Sequence, residues 1–108
     1  MLHTKEFCHW LRTLREDEFV PRATERFIAE SQIDGWAAVG LMHILNYAIT
    51  NCLESDEGYL EIGTYAGRSL IGGLKDNTAT AHVIDNFWDS PTLRSTFEEN
   101  LRLFGVRE

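Results

Sequence analysis

Cationic side chains are in short supply in this 108-residue chain: ten lysines and arginines stand against seventeen aspartates and glutamates, a net charge of −7. Sequence-independent nucleic-acid binding needs a basic surface, so no nucleic-acid partner is expected. Arg12, Arg15, Arg22 and Arg26 are interleaved with at least as many acids and read as solvated helix faces. Cysteine is scarce too. Cys8 and Cys52 fall in separate helical patterns without metal-type spacing, and read as buried free thiols of a reducing, cytoplasmic compartment. The opening Met1-Leu-His-Thr-Lys-Glu is too polar for a secretory signal. No Gly-x-x-x-x-Gly-Lys-Ser/Thr is present, which leaves P-loop binding of ATP or GTP unsupported, and Ser69 lacks the Gly-x-Ser-x-Gly setting of a nucleophile elbow. His82 and Asp85 have no third ligand nearby, and His3 and His9 fall in a terminus that reads as mobile, so no metal site is expected. Glu54, Asp56 and Glu57 crowd one loop and read as solvated rather than as a hydrolase pair.

The only stretch that tempts a membrane reading is Gly35 to Leu53. His43, Asn46 and Thr50 recur along it at helical spacing as a narrow polar stripe, each costly in lipid, and no basic residues flank it. A core helix covered by protein is the expectation, with His43 partly buried rather than a ligand. With 44% hydrophobic and 25% charged residues, the composition is that of an ordinary globular chain. Residues 1–108 are expected to form one domain, with a helical region over 1–53 and a βαβ region over 58–108.

Within the helical region, Thr4 is expected to cap a first helix whose Phe7, Trp10, Leu11 and Leu14 share one face. Pro21 favours the first turn of a second helix carrying Ala23, Phe27 and Ile28, and Asp34 is a cap candidate for the long apolar helix. Ser55 to Gly58 reads as a loop. Further on, Ser90-Pro91 reads as a cap and first helical residue, Leu93, Phe97, Leu101 and Phe104 as an apolar stripe, and Gly105 as the stop.

The informative segment is Tyr59-Leu-Glu-Ile-Gly-Thr-Tyr-Ala-Gly-Arg-Ser69, followed by Val83-Ile-Asp-Asn-Phe87. Tyr59, Leu60 and Ile62 suit a strand, and Gly63 permits positive φ and close approach to a ligand. Gly67 stands where a helix would begin, running to about Leu74, and the free N–H groups there favour an anionic group such as a carboxylate. Gly72 and Gly73 inside that helix cost roughly 1 kcal/mol each relative to alanine, which implies a close packing neighbour or an early end. Asp76 and Asn77 make a turn, and Thr80 to Ile84 is a second strand. Glu61, two residues before Gly63, would repel a phosphate and suit an ammonium or sulfonium ion. Asp85 follows Gly63 by twenty-two residues, a spacing at which an acid accepts hydrogen bonds from ribose hydroxyls. Phe87 and Trp88 offer a flat wall for a purine. A dinucleotide fingerprint, Gly-x-Gly-x-x-Gly, would need glycine where Tyr65 and Arg68 stand, so NAD and FAD fit poorly.

Glu61-Ile-Gly-Thr-Tyr-Ala-Gly67 resembles the first motif of class I S-adenosylmethionine-dependent methyltransferases. Leu60 to Leu70 is especially similar to O-methyltransferase-like members, in which an aromatic residue often replaces the middle glycine. Asp85 matches the family's acid at the end of the second strand, and the likeness spans roughly residues 35–106. It implies an α/β fold: N-terminal helices, then a partial Rossmann-like β-α-β unit that stops after the second strand and its following helix. It also implies S-adenosylmethionine as cofactor, its methionine half cradled by Glu61, Gly63, Tyr65 and Gly67 and its ribose held by Asp85, with Thr64, Ser69, Asn86 and Phe87 also in the cofactor site. The function implied is methyl transfer to a small-molecule oxygen acceptor. The family's sheet has seven strands and only two are legible here, so the expectation is either a fragment of a longer methyltransferase or an open edge completed by a homodimer partner or a complementing chain. Two other readings stand beside it: a non-catalytic scaffold or dimerising interaction module, and a small α/β protein that binds another nucleoside.

Overall fold

The computed structural model describes residues 3–107, so Met1, Leu2 and Glu108 of the expected single unit lie outside the described residues. Helices α1 (Thr4–Thr13), α2 (Glu16–Arg26) and α3 (Val39–Cys52) come first. Strand β1 (Tyr59–Ile62), helix α4 (Arg68–Leu74), strand β2 (Ala81–Ile84) and helix α5 (Leu93–Leu103) follow. The two strands pair in parallel, Tyr59 opposite Ala81 and Ile62 opposite Ile84, which gives the mixed α/β architecture.

Several helix starts differ from the sequence expectation. His3, not Thr4, occupies the position before α1, without a side-chain cap, and its imidazole lies 3.0 Å from the Glu54 carboxylate. Helix α2 begins five residues before Pro21, because Glu16, Asp17 and Glu18 suit the positive end of the helix dipole. Pro21 is therefore interior, and Ile28 falls beyond the helix end at 61% exposure while Ala23 and Phe27 are fully buried. Asp34 caps nothing, since α3 starts only at Val39. Ser90 and Pro91 precede α5 in a turn, where the Ser90 hydroxyl accepts the Thr92 N–H at 3.2 Å. Gly105, at φ +70°, ends α5 as expected.

Helix α4 is the hub. Its two glycines are required by close approach: a Cβ on Gly72 would sit 2.6 Å from the Met42 sulfur, and one on Gly73 would sit 2.8 Å from Ile49 Cδ1. The carbonyls at its C-terminal end face the buried Asn46 amide, 3.2 Å from Gly72 O, 3.1 Å from Gly73 O and 2.7 Å from Lys75 O, and Asn77 also donates to Gly73 O at 2.9 Å. Lys75 then turns to the buried Glu30 carboxylate, at 3.0 and 3.1 Å. Of the polar stripe on α3, Asn46 is thus a capping group for another helix. His43 is half-buried between Trp10 and Phe19, and burial, with Arg26 and Arg22 nearby, lowers its pKa from the ordinary value.

The main core gathers Leu70 and Ile71 of α4 with Leu93, Phe97 and Leu101 of α5, and Tyr59, Ala81 and Val83 pack on it from the sheet. The helices therefore cover one face of the sheet. The other face carries Leu60, Ile62 and Ile84, all more than half exposed. Cys52 is buried and Cys8 half-buried, and both are free thiols. Among the described residues, no helix is long and apolar enough to cross a membrane.

Candidate functional site

A cleft of about 800 Å³ opens at the C-terminal ends of β1 and β2. Crevices outside the carboxyl ends of parallel strands are the usual ligand positions of open α/β sheets. One wall is the turn after β1. Gly63 extends the ladder by donating to Ile84 O at 2.8 Å, then takes φ +82°, and a Cβ there would meet nothing within 4 Å. Gly67, at φ +93°, closes the turn onto Thr64 O and starts α4.

Between these glycines Tyr65 adopts φ +53°, a conformation costly for a bulky residue. The Asp85 carboxylate compensates. Its Oδ2 accepts the Tyr65 N–H at 2.8 Å, and its Oδ1 accepts the Phe87 N–H at 2.7 Å. These contacts, the Phe87 N–H first, hold the Asp85 carboxyl below its usual pKa against partial desolvation. Asp85 therefore ties the β1 turn to the β2 end and keeps only its remaining lone pairs for a ligand.

The opposite wall is a strap, residues 33–37, held by Arg68. Its guanidinium donates to the carbonyls of Ser31, Ile33 and Ala37, the last at 2.6 Å. Across the opening, the Tyr65 hydroxyl lies 3.1 Å from Asp89 Oδ2 and 3.4 Å from Asp34 Oδ2. These carboxylates, Asp89 foremost, raise the Tyr65 pKa and keep the phenol protonated. Trp36 on the strap is fully exposed and Trp88 is 81% exposed, and both residues border the cleft.

Six of the nine residues anticipated from sequence line this cleft: Gly63, Thr64, Tyr65, Ser69, Asp85 and Asn86. Three do not. Glu61 points to the helix-covered face, where its Oε1 accepts from Ser69 Oγ at 2.8 Å and Tyr59 Oη at 3.0 Å, while Oε2 is buried without a partner among the described residues. It reaches the cleft only through Ser69, so the expectation that it faces an occupant of the turn is corrected. Strand alternation is the reason: Ile62 takes the outer face and Glu61 the inner. Gly67 lies behind the turn, in reach of the Phe97 ring. Phe87 packs inward against Phe97, with ring centroids 5.5 Å apart, and leaves Trp88 alone as the flat wall on that side.

No family model matches the chain, nor does any curated protein or solved structure. The site must be read from its own chemistry. Three carboxylates (Asp34, Asp85 and Asp89) line it against one guanidinium, Arg68, which is committed to the strap. Such a cleft favours a cationic, partly aromatic ligand over a polyphosphate. Sequence reasoning missed Asp34, Trp36, Arg68 and Asp89. Trp36 falls in the Gly35 to Leu53 stretch expected to be a core helix, so nothing in the sequence signalled its exposure. Among the described residues, no three His, Cys, Asp or Glu side chains cluster as a metal site would.

Proposed function

We propose that this chain is the cofactor-binding half of an S-adenosylmethionine-dependent methyltransferase acting on a small-molecule oxygen acceptor. One observation carries the reading: the glycine turn and Asp85 meet at the C-terminal ends of two parallel strands, in a cleft whose wall is acidic and aromatic. The open space beside Gly63 and the shortage of free cations fit a sulfonium nucleoside and oppose a pyrophosphate. Gly63, Tyr65 and Ser69 would hold the methionine portion, and Asp85 and Asn86 the ribose. Glu61 acts as a positioning residue by fixing the Ser69 hydroxyl. When bound, the cofactor supplies an electrophilic methyl group on its sulfonium sulfur.

The test is calorimetric titration of S-adenosylhomocysteine and of adenosine into the purified chain. Micromolar binding of the first is expected, with Asp85→Ala weakening both ligands about tenfold or more. Ser69→Ala should weaken S-adenosylhomocysteine but leave adenosine unchanged. A folded chain that binds neither ligand overturns the reading. A second reading, a dimerising interaction module, draws on the bare apolar sheet face of Leu60, Ile62 and Ile84. Sedimentation on the same sample separates the two, because the module reading requires self-association without ligand.

A further inference from the structure

Beyond the turn and Asp85, the outer rim of the cleft has its own chemistry, assembled from two segments far apart in sequence. The strap contributes Asp34 and Trp36, and the segment after β2 contributes Trp88 and Asp89. Tyr65 stands between them, with its hydroxyl near both carboxylates. A phenol has one proton to donate, so it satisfies one of the two acids and leaves the other to solvent or a ligand. Neither Asp34 nor Asp89 pairs with a lysine or arginine among the described residues. Thr64, only 3% exposed, also lines the cleft, and its hydroxyl is buried without a partner among the described residues.

Two exposed indoles are unusual on so small a surface, and both stand at the mouth of one acidic cleft. Indole offers the best face for a cation among the aromatic side chains, and it stacks on flat rings. Carboxylates beside such faces select for positive charge and against negative charge. Arg68 does not spoil this selection, because it is half-buried and holds the strap through three carbonyls. That grip fixes the backbone on both sides of Trp36 and pre-orders the strap before any ligand arrives.

We infer that the rim formed by Trp36, Trp88, Asp34 and Asp89 is a receptor for a planar organic cation. Its role as acceptor subsite rests on the methyltransferase reading, and it would make the acceptor an aromatic ring carrying an amine rather than a carboxylate. Charge enters through Asp34 and Asp89, and planarity through the indoles. The deeper part of the cleft, around Gly63 and Asp85, is left for the cofactor, so the two ligands occupy the cleft together.

Four small probes separate these contributions in titrations followed by tryptophan fluorescence and calorimetry. They are tyramine, its neutral alcohol analogue tyrosol, the anionic analogue 3-(4-hydroxyphenyl)propionate, and the non-planar cation 2-cyclohexylethylamine. Each is titrated into the full chain with and without saturating S-adenosylhomocysteine. Tyramine is expected to bind about tenfold or more tighter than the anion and than the cyclohexyl amine, with tyrosol between. Trp36→Ala and Asp89→Asn should each weaken tyramine about fivefold or more, while Trp36→Phe retains most of the binding. Both side chains are exposed, so these variants are expected to fold, and a far-UV circular dichroism spectrum verifies it.

Equal binding of cation and anion, insensitivity to Trp36→Ala, or full competition by S-adenosylhomocysteine overturns the inference. Tyramine binding by a chain that ignores S-adenosylhomocysteine upholds the rim and fells the cofactor reading. The reverse result fells the rim and upholds the cofactor reading.

Discussion

On one side the β1–β2 sheet turns Tyr59, Glu61, Ala81 and Val83 towards α4 and α5, and on the other it turns Leu60, Ile62, His82 and Ile84 to solvent. By side-chain polarity the two faces are hardly distinguished, since a carboxylate lies inside with Tyr59, Ala81 and Val83 while three aliphatic residues lie outside. Glu61 tolerates burial because Tyr59 and Ser69 donate to it, replacing part of the water it gives up. The helices, not the hydropathy of the strands, determine which face is the core. The covered face carries the stability of this fold, and the cleft at its C-terminal end inherits that rigidity through Asp85, Arg68 and Asn100, whose amide donates to Ala66 O at 2.9 Å. The bare face leaves Leu60 open to solvent and lends Ile62 and Ile84 to the edge of the cleft.

The contrast predicts unequal mutational costs. Phe97→Ala should be the most damaging of three substitutions, because it empties the middle of the main core and removes the ring facing Phe87 and Gly67. A loss of about 3–5 kcal/mol is expected from urea unfolding. A loss below about 1 kcal/mol would show that α5 is not packed on the sheet in solution.

Asn46→Ala tests the next support outward. It removes the donor to Lys75 O and leaves Gly72 O with the Lys75 N–H and Gly73 O with the Asn77 amide, while removing little apolar surface. The expected cost is about 1–3 kcal/mol, measured in the same way. Amide exchange should also accelerate in the last turn of α4 more than in α5. Equal acceleration in both helices would break the assignment of Asn46 to the end of α4.

The elements that position the cleft were legible because their signals are local. Tyr59 to Ile62, the two turn glycines, Ala81 to Ile84 and the Leu93, Phe97, Leu101 stripe each announce a conformation through neighbours a few residues away. Gly72 and Gly73 even announced their close neighbours, which proved to be Met42 and Ile49. What stayed hidden depends on distant partners. No local pattern reveals that Arg68 would hold carbonyls more than thirty residues earlier, or that Asp34 would meet Tyr65 rather than begin a helix. The direction of Glu61 was hidden for a different reason. Alternation along a strand fixes which residues share a face but not which face the helices cover, and here apolar residues lie on both. The same gap explains Phe87 and Trp88: adjacent aromatics diverge, one into the core and one into the cleft, once Phe87 takes φ +50°.

Leu60→Thr should have the smallest effect and is the most informative about the bare face. Leu60 is 55% exposed, lies outside the cleft, and sits in a strand where threonine is well accommodated. If the face is open in solution, the change in unfolding free energy should fall within about 0.5 kcal/mol at any protein concentration. If the face is instead covered by a second copy, the wild-type chain should gain stability with concentration and Leu60→Thr should abolish that gain, because association couples to folding by mass action. Unfolding both proteins across a hundredfold range of concentration distinguishes these cases. Parallel, concentration-independent curves keep the two faces distinct, with the covered one holding the fold and the bare one free. A concentration-dependent gap between the curves would erase that distinction and make the second face a core of its own.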